Sequence, residues 1–161
     1  MIQAKINGLA LDVTTNSPVV ILSAQDSDTK LLPIWIGHYE AWAIAMELSG
    51  LSSQRPLTHD LLRSVIQSLG GKVLKIEVTE LINQTFYAKI YIQMKDSIFE
   101  IDARPSDSIA LALKTKVPIY VADELFEIKS KGGKAPDSYA PESLKERLKR
   151  INPEDFGKYS L

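Results

Sequence analysis

The sequence predicts an α+β fold with two similar β-β-β-α halves, in which mixed or antiparallel sheet is packed by helices, and a C-terminal helical tail. Short runs of alternating apolar residues, separated by turn residues, precede two long apolar stretches. A shift of 67 residues also aligns Leu31–Met46 with Ile98–Leu113, so strand, turn and helix recur in the same order. We therefore predict a domain with an internal repeat at 1–133, and a linker with a helical tail at 134–161.

The first half begins with three predicted strands, which are 2–13, Val19–Leu22 and Leu31–Ile36. Asn7-Gly8 indicates a turn or bulge within the first of them. The apolar stretch at 40–49 predicts a largely buried helix, which Gly50 ends. A second helix follows, with Thr58 as the expected cap and Asp60 in its first turn.

The second half repeats this order. Its predicted strands are Val73–Leu81, Thr85–Met94 and Ile98–Asp102, with hairpin turns at Asn83-Gln84 and Lys95-Asp96. The apolar helix is expected at 106–116, with Ser106 as its cap. A short strand at Pro118–Val121 and a helix that begins at Asp123 complete the domain.

Composition bounds the class of protein. A chain of 161 residues with 45% apolar and 24% charged residues is ordinary for one soluble globular domain. It has no cysteine, which excludes disulfides, thiolate metal sites and a cysteine nucleophile. The sequence shows neither a signal peptide nor a membrane-spanning run, so we expect a cytoplasmic location and no membrane contact.

Charge is unevenly distributed along the chain. Residues 1–127 hold 11 basic and 15 acidic side chains, whereas residues 128–161 hold 8 basic and 5 acidic ones. The tail predicts a helix with a narrow apolar stripe surrounded by basic residues, which is typical of docking on the domain or of contact with a partner or polyanion. A phosphate-binding loop and a dinucleotide fingerprint are both absent from the sequence, which argues against a redox enzyme or a nucleotide-driven motor.

One strand–turn–helix corner concentrates charge. Residues 100–108 hold Glu100, Asp102, Arg104 and Asp107 beside a buried helix. Such a cluster is either a structural ion-pair network or a site. As a site, Asp102 and Asp107 would be oxygen ligands of a hard cation or an acid and a base, and Arg104 would hold a phosphate with two hydrogen bonds.

The repeat helps to rank these residues. The shift aligns Glu40 with Asp107, so an acid at the helix start belongs to both halves. Asp102 and Arg104 align with uncharged residues, and this asymmetry ranks them above Asp107 as functional candidates. A second candidate group is His59-Asp60 with Arg55, because histidine titrates near neutral pH and arginine clamps phosphate. A polar surface role for His59 is the alternative.

Four segments share their order and spacing with a known family, and they are Leu32–Gly37 with Glu40-Ala41, Arg55–Leu61, Thr85–Ala88 and Asp102–Ala112. Together they resemble the bifunctional nuclease (DNase/RNase) domain family. The resemblance covers about residues 1–130, and Pro153–Phe156 is similar to the tail of bacterial members. It implies cleavage of DNA and RNA by an α+β protein that self-associates. The aromatic residues Trp35, Tyr39 and Trp42 at one strand–helix junction predict a two-fold homodimer.

The resemblance supplies no catalytic roster, so the roles below are our own hypothesis for the charged residues that match the family's motifs. The expected catalytic residues are His59, Asp60, Asp102, Arg104 and Asp107. Arg55 and Arg104 would bind the substrate phosphate, and Asp102 with Asp107 would hold Mg²⁺ or Mn²⁺. The competing class is a dimeric binding or regulatory module that senses a small anion or a protein partner without catalysis.

Overall fold

Seven strands form one mixed sheet in residues 1–127, the part of the chain that this computed structural model describes. The strands are β1 Ile2–Asp12, β2 Ser17–Ala24, β3 Ser27–Trp35, β4 Gly71–Ile82, β5 Thr85–Met94, β6 Ser97–Ala103 and β7 Ile119–Val121. The helices are α1 His38–Leu48, α2 Thr58–Ser68, α3 Pro105–Thr115 and α4 Asp123–Glu127. The predicted α+β class is confirmed. The predicted tail at 134–161 lies outside the described residues.

The strands are ordered β3-β2-β1-β7-β4-β5-β6 across the sheet. Every neighbouring pair is antiparallel except β4 with β7, which is parallel. The short strand β7 therefore joins the two three-stranded groups. The order β-β-β-α occurs twice along the chain, as β1–β3 with α1 and as β4–β6 with α3. Whether these halves superpose stays a prediction.

Turn residues set the register of the strands. Asn83 and Gln84 connect β4 to β5 with φ of 48° and 63°. Positive φ at both residues is typical of a two-residue hairpin turn, because such a turn matches the twist of the two strands. The register of β1 against β2 shifts between Ile6 and Gly8, which confirms the expected irregularity there as a bulge. Strand β3 begins earlier than predicted, because its first residues, 27–30, are polar and mostly exposed and so lack an apolar pattern.

The core lies between one face of the sheet and the helices. Helix α3 packs on α1, on α2 and on the central strands, and its residues Ile109–Ala112 are all buried. Four consecutive apolar residues cover all sides of one helical turn, so this middle stretch of α3 must be enclosed by other elements. Full burial of a side chain such as Ile109 stabilises the fold by about 1.5–3 kcal/mol. This packing fixes the first turn of α3, which carries the charged corner.

The helix starts differ from the expected caps. Arg104 occupies the N-cap position of α3 and Pro105 the first turn, where its missing N–H costs nothing, whereas Ser106 is buried inside that turn. Leu57, not Thr58, precedes α2, and its backbone N–H donates to Asp60 Oδ2 at 3.0 Å. Across the described residues, no helix is long and apolar enough to cross a membrane.

Candidate active site

Arg104 belongs to a chain of polar contacts at the corner between β6 and α3. Its Nε donates to Asp107 Oδ2 at 2.7 Å, and its Nη2 donates to Glu40 Oε1 at the start of α1. The guanidinium has five N–H donors, and these two contacts use two of them. Because the Arg104 side chain is 66% exposed, its remaining donors are available to an anion.

Asp107 joins Arg104 to His59. Its Oδ1 lies 2.9 Å from His59 Nε2, while its Oδ2 accepts from Arg104. An ionised carboxylate only accepts, so the proton of His59 lies on Nε2 and Nδ1 carries the lone pair when the ring is neutral. The imidazole is held in one orientation in a mostly buried position, since its side chain is 10% exposed. The contact unites two sequence motifs that are 48 residues apart.

Glu40 completes the chain from α1, and Gly37 leaves room for it. The Glu40 side chain is 13% exposed and folds back over the beginning of its own helix. A Cβ atom at position 37 would overlap the Glu40 carboxylate. Glycine is therefore needed here for the close approach of a side chain, while the φ of −73° at Gly37 is one that other residues adopt.

The charges of the corner stabilise one another. Burial opposes ionisation of Asp107, but the hydrogen bonds from Arg104 and His59 outweigh it and hold the pKa of Asp107 below its ordinary value. The hydrogen bond to Asp107, together with that to Glu40, raises the pKa of Arg104. Arg104 is thus cationic and Asp107 anionic at neutral pH, which is the state that phosphate binding and histidine orientation require.

A second cluster lies at the other end of the same helices. Lys114, near the end of α3, donates to Asp60 Oδ1 at 2.6 Å and to Glu47 Oε1 at 2.9 Å. Burial would lower the pKa of Lys114, but the bonds to Asp60 and Glu47 raise it above the ordinary value. Burial would raise the pKa of Asp60, but the hydrogen bonds from Lys114 and from the N–H of Leu57 lower it below the ordinary value. Asp60 therefore joins this cluster, not the one around Arg104.

Two predicted site residues stand apart. Asp102 is exposed on the edge strand β6, where it pairs with Lys89 in the strand register. Arg55 is exposed in the segment that precedes α2. Among residues 1–127, no hydrogen bond or ion pair links either of them to Asp107 or His59.

Asp102 and Asp107, the predicted metal ligands, do not form a complete metal-binding site by themselves. Asp107 has both oxygens engaged by Arg104 and His59, and Asp102 would contribute one exposed carboxylate. Within the described part of the chain, no group of three or more His, Asp or Glu side chains is placed to hold a metal ion. Both Asp107 oxygens already have partners, so a cation held between Asp102 and Asp107 stays a prediction.

Sequence reasoning assigned no role to three of the residues in these clusters, namely Glu40, Glu47 and Lys114. The 67-residue shift contained a signal for them. It aligns Glu40 with Asp107, and both contact Arg104. It also aligns Glu47 with Lys114, two opposite charges that form an ion pair across that same separation of 67 residues.

Comparison with known proteins places the chain in a family. Residues 20–132 match the model of the bifunctional nuclease domain. The chain belongs to the bifunctional nuclease domain family. The matched region contains both polar clusters and the helices α1 to α4.

The relatives fall into two groups. An uncharacterized protein from Mycobacterium tuberculosis is 36% identical over 163 residues, covering 96% of this chain and 97% of that protein. Bifunctional nuclease 1 from Arabidopsis thaliana is 24% identical over 107 residues, covering 65% of this chain and 33% of the plant protein. Bifunctional nuclease 1 from Oryza sativa subsp. japonica is 25% identical over 105 residues, covering 63% of this chain and 32% of the rice protein. The chain thus matches about a third of the length of these plant relatives.

Proposed function

We propose that this protein is a nuclease that hydrolyses phosphodiester bonds in DNA and RNA. The observation that carries the proposal is the contact chain Glu40–Arg104–Asp107–His59, which unites a phosphate-binding group and an oriented histidine at one corner. Membership of the bifunctional nuclease domain family supports the reaction class. The plant relatives named as bifunctional nucleases point the same way.

Each residue has a role that follows from its contacts. Arg104 binds the phosphate through its free N–H donors and stabilises the charge that develops on the phosphoryl oxygens. His59 uses Nδ1 to accept the proton of the attacking water or to return one to the leaving oxygen. Asp107 orients His59 and balances its charge, and Glu40 fixes the plane of Arg104. Asp60 accepts hydrogen bonds from Lys114 and from the backbone N–H of Leu57 and has no contact with His59, so its catalytic role stays a prediction.

The test is cleavage of single-stranded DNA and RNA by the purified protein and by matched variants. Arg104→Lys keeps the charge but loses the planar fork, so we expect cleavage about tenfold slower or worse with an unchanged melting temperature. His59→Gln should reduce cleavage at least about a hundredfold. The control is Arg55→Lys, which lies outside the contact chain and should have a smaller effect.

The result also separates an enzyme from a binding module. A contaminating nuclease would not respond to Arg104→Lys or His59→Gln, so a loss of activity in these folded variants assigns the activity to this protein. If the wild type binds short anions at Arg104 yet never cleaves either nucleic acid, the protein is a binding or regulatory module and the nuclease proposal is wrong.

Assistance by Mg²⁺ or Mn²⁺ at Asp102 and Asp107 stays a prediction. A cation that binds only the folded protein raises its thermal stability by mass action. We therefore expect either ion to raise the melting temperature and the cleavage rate if it is used, and Asp102→Asn to remove both effects. Cleavage that is equal with and without chelator would reject metal assistance. A cytoplasmic location and a homodimer are likewise predictions.

A further inference from the structure

A pocket of about 250 Å³ lies at the second cluster, beside the active-site corner. It is bounded by the last turns of α1, by the segment that connects α1 to α2, and by the first turns of α2. Its charged lining residues are Glu47, Asp60, Arg63 and Lys114. The lining thus contains two positive and two negative side chains, so the pocket has no net attraction for a phosphate.

Hydrogen-bonding capacity is left unused in this lining. Lys114 is 6% exposed and spends two of its three donors on Glu47 and Asp60. Arg63 Nη1 donates to the backbone oxygen of Lys114 at 3.3 Å, and Arg63 Nε is buried without a partner among the described residues. The third donor of Lys114 is a hydrogen-bonding group that this lining can offer to an acceptor on a ligand.

The other walls are apolar or small. Ala43, Met46, Leu51, Pro56 and Leu57 supply apolar surface, and Ser52, Ser53 and Gln54 supply polar groups at the rim. This combination suits a planar heterocycle, whose faces contact apolar side chains while its edge offers both donors and acceptors. The volume suits one such ring system with part of its sugar.

We propose that this pocket receives one unpaired nucleobase of the strand whose phosphate lies at Arg104, an inference that rests on the proposed nuclease function. Asp107 and Lys114 are seven residues apart on α3, and Glu40 and Glu47 are seven apart on α1. Seven residues are two helical turns, about 10.5 Å, which is about three nucleotide steps of a stacked strand. A base must leave a duplex to enter a pocket, so the protein prefers single-stranded substrate.

The test uses short single-stranded oligonucleotides in which only one linkage can be cleaved. Each oligonucleotide lacks the base at one position, and that abasic position differs from one oligonucleotide to the next. With wild-type protein, we expect kcat/KM to fall about five- to tenfold when the abasic position lies about three nucleotides from that linkage. Ser53→Phe fills the pocket, so it should cleave the intact strand at the reduced rate and be insensitive to the abasic position. Ser68→Phe, exposed on α2 and outside the pocket, should keep the wild-type response.

The outcomes separate this inference from the proposed function. If the intact strand is never cleaved, the nuclease proposal fails and the pocket proposal with it. If it is cleaved but no abasic position changes kcat/KM by more than about twofold, the nuclease proposal stands and the pocket proposal is wrong. The pocket proposal is also wrong if Ser53→Phe responds like the wild type. Ser52→Phe, also in the lining, repeats the test if Ser53→Phe does not fold.

Discussion

Hydrogen-bond capacity decides what each side chain does at the corner formed by Glu40, His59, Arg104 and Asp107. Asp107 has two oxygens, and each serves one cation or donor, with Arg104 on one side and His59 on the other. Arg104 gives two donors to carboxylates and keeps the rest toward solvent. The corner is therefore organised around Asp107, while Arg104 faces outward. A carboxylate that orients both partners should be more sensitive to substitution than its exposure suggests.

Asp107→Asn tests this orienting role. The amide has nearly the same shape, but its NH₂ cannot accept from His59 Nε2 or from Arg104 Nε, so one of the two contacts is lost. We expect the cleavage rate to fall about a hundredfold or more. Loss of the carboxylate also removes a group whose pKa is lower in the folded state. The variant should consequently lose less stability than the wild type when the pH falls below about 4.

The measurement combines cleavage assays with acid unfolding followed by circular dichroism. Asp96→Asn is the matched control, since Asp96 is exposed in the turn between β5 and β6 and makes no described contact with His59 or Arg104. Equal loss of activity in the two variants would contradict the assignment of Asp107 as the orienting residue.

Gly37→Ala tests the position of Glu40. The added methyl group would overlap the Glu40 carboxylate, which is the far end of a flexible side chain and can move aside. We expect the free energy of unfolding to change by less than about 1 kcal/mol, because the φ at Gly37 suits alanine. Cleavage should fall about tenfold, since Arg104 loses the contact that fixes its plane.

Gly8→Ala is the matched control, because a Cβ atom there meets no heavy atom within 4 Å. Cleavage by Gly37→Ala that equals cleavage by Gly8→Ala would show that the contact between Glu40 and Arg104 is dispensable. Unfolding of Gly37→Ala alone would show that Glu40 supports the fold and not only the site.

At the scale of elements, the clusters act as clamps between helices. Glu40 and Arg104 join the start of α1 to the start of α3, and Glu47 and Lys114 join their ends. The two helices therefore run side by side in the same direction, with a polar contact near each end. Helix α2 packs on α3, and its first turn supplies His59 to one cluster and Asp60 to the other.

Lys114→Met tests the second clamp. In the wild type, the lowered pKa of Asp60 contributes stability that is present above about pH 4 and lost as the pH falls further. The raised pKa of Lys114 contributes stability that is lost only above its ordinary value of 10.5. Methionine leaves Glu47 and Asp60 close together without a cation, so we expect a loss of about 2–3 kcal/mol at pH 7.

The pH dependence gives the sharper readout. Without Lys114, the adjacent carboxylates repel, and protonation of one of them relieves the repulsion. Lowering the pH from 7 to 5 should therefore stabilise Lys114→Met and leave the wild type nearly unchanged, as measured by urea unfolding. Lys116→Met, an exposed lysine on the same segment, is the matched control and should resemble the wild type. A loss of stability that is independent of pH would point to packing in place of charge.

The order of elements could be predicted from the sequence, whereas the partners of the charged residues could not. Apolar runs and turn residues are local signals, and they identified α1, α3 and the hairpin at Asn83-Gln84. The asymmetry of the repeat ranks Asp102 and Arg104 above Asp107, whereas the structure joins Arg104 to Asp107 and leaves Asp102 outside this contact chain. Glu40 and Arg104 are 64 residues apart, and only the packing of α1 against α3 brings them together. Such contacts have no local sequence signal.

The whole molecule leaves apolar surface uncovered on one half. Edge strand β6 exposes Ile98, Phe99 and Ile101, and α2 exposes Leu61, Leu62, Val65 and Leu69. Phe99 pairs with Ile92 of β5, and Ile92 and Ile66 of α2 both approach Gly71, so α2 and β6 share this region of the sheet. An edge strand has unpaired backbone groups, and apolar side chains beside them are typical of an interface. The exposed Trp35 and Tyr39 form a second, smaller candidate surface at the start of α1.

We predict self-association through β6 and α2, most simply as a two-fold homodimer. The chain has a mass of 17.9 kDa, so light scattering at micromolar concentration should give about twice that value. Phe99→Lys places a charge on the apolar edge and should shift the mass to that of the monomer, whereas Tyr39→Lys should leave the dimer intact. A monomeric wild type would reject self-association. A monomer produced by Tyr39→Lys, with Phe99→Lys still dimeric, would instead assign the interface to the aromatic surface at the start of α1. Because His59 and Arg104 belong to one chain here, cleavage per protomer should survive in a folded Phe99→Lys monomer.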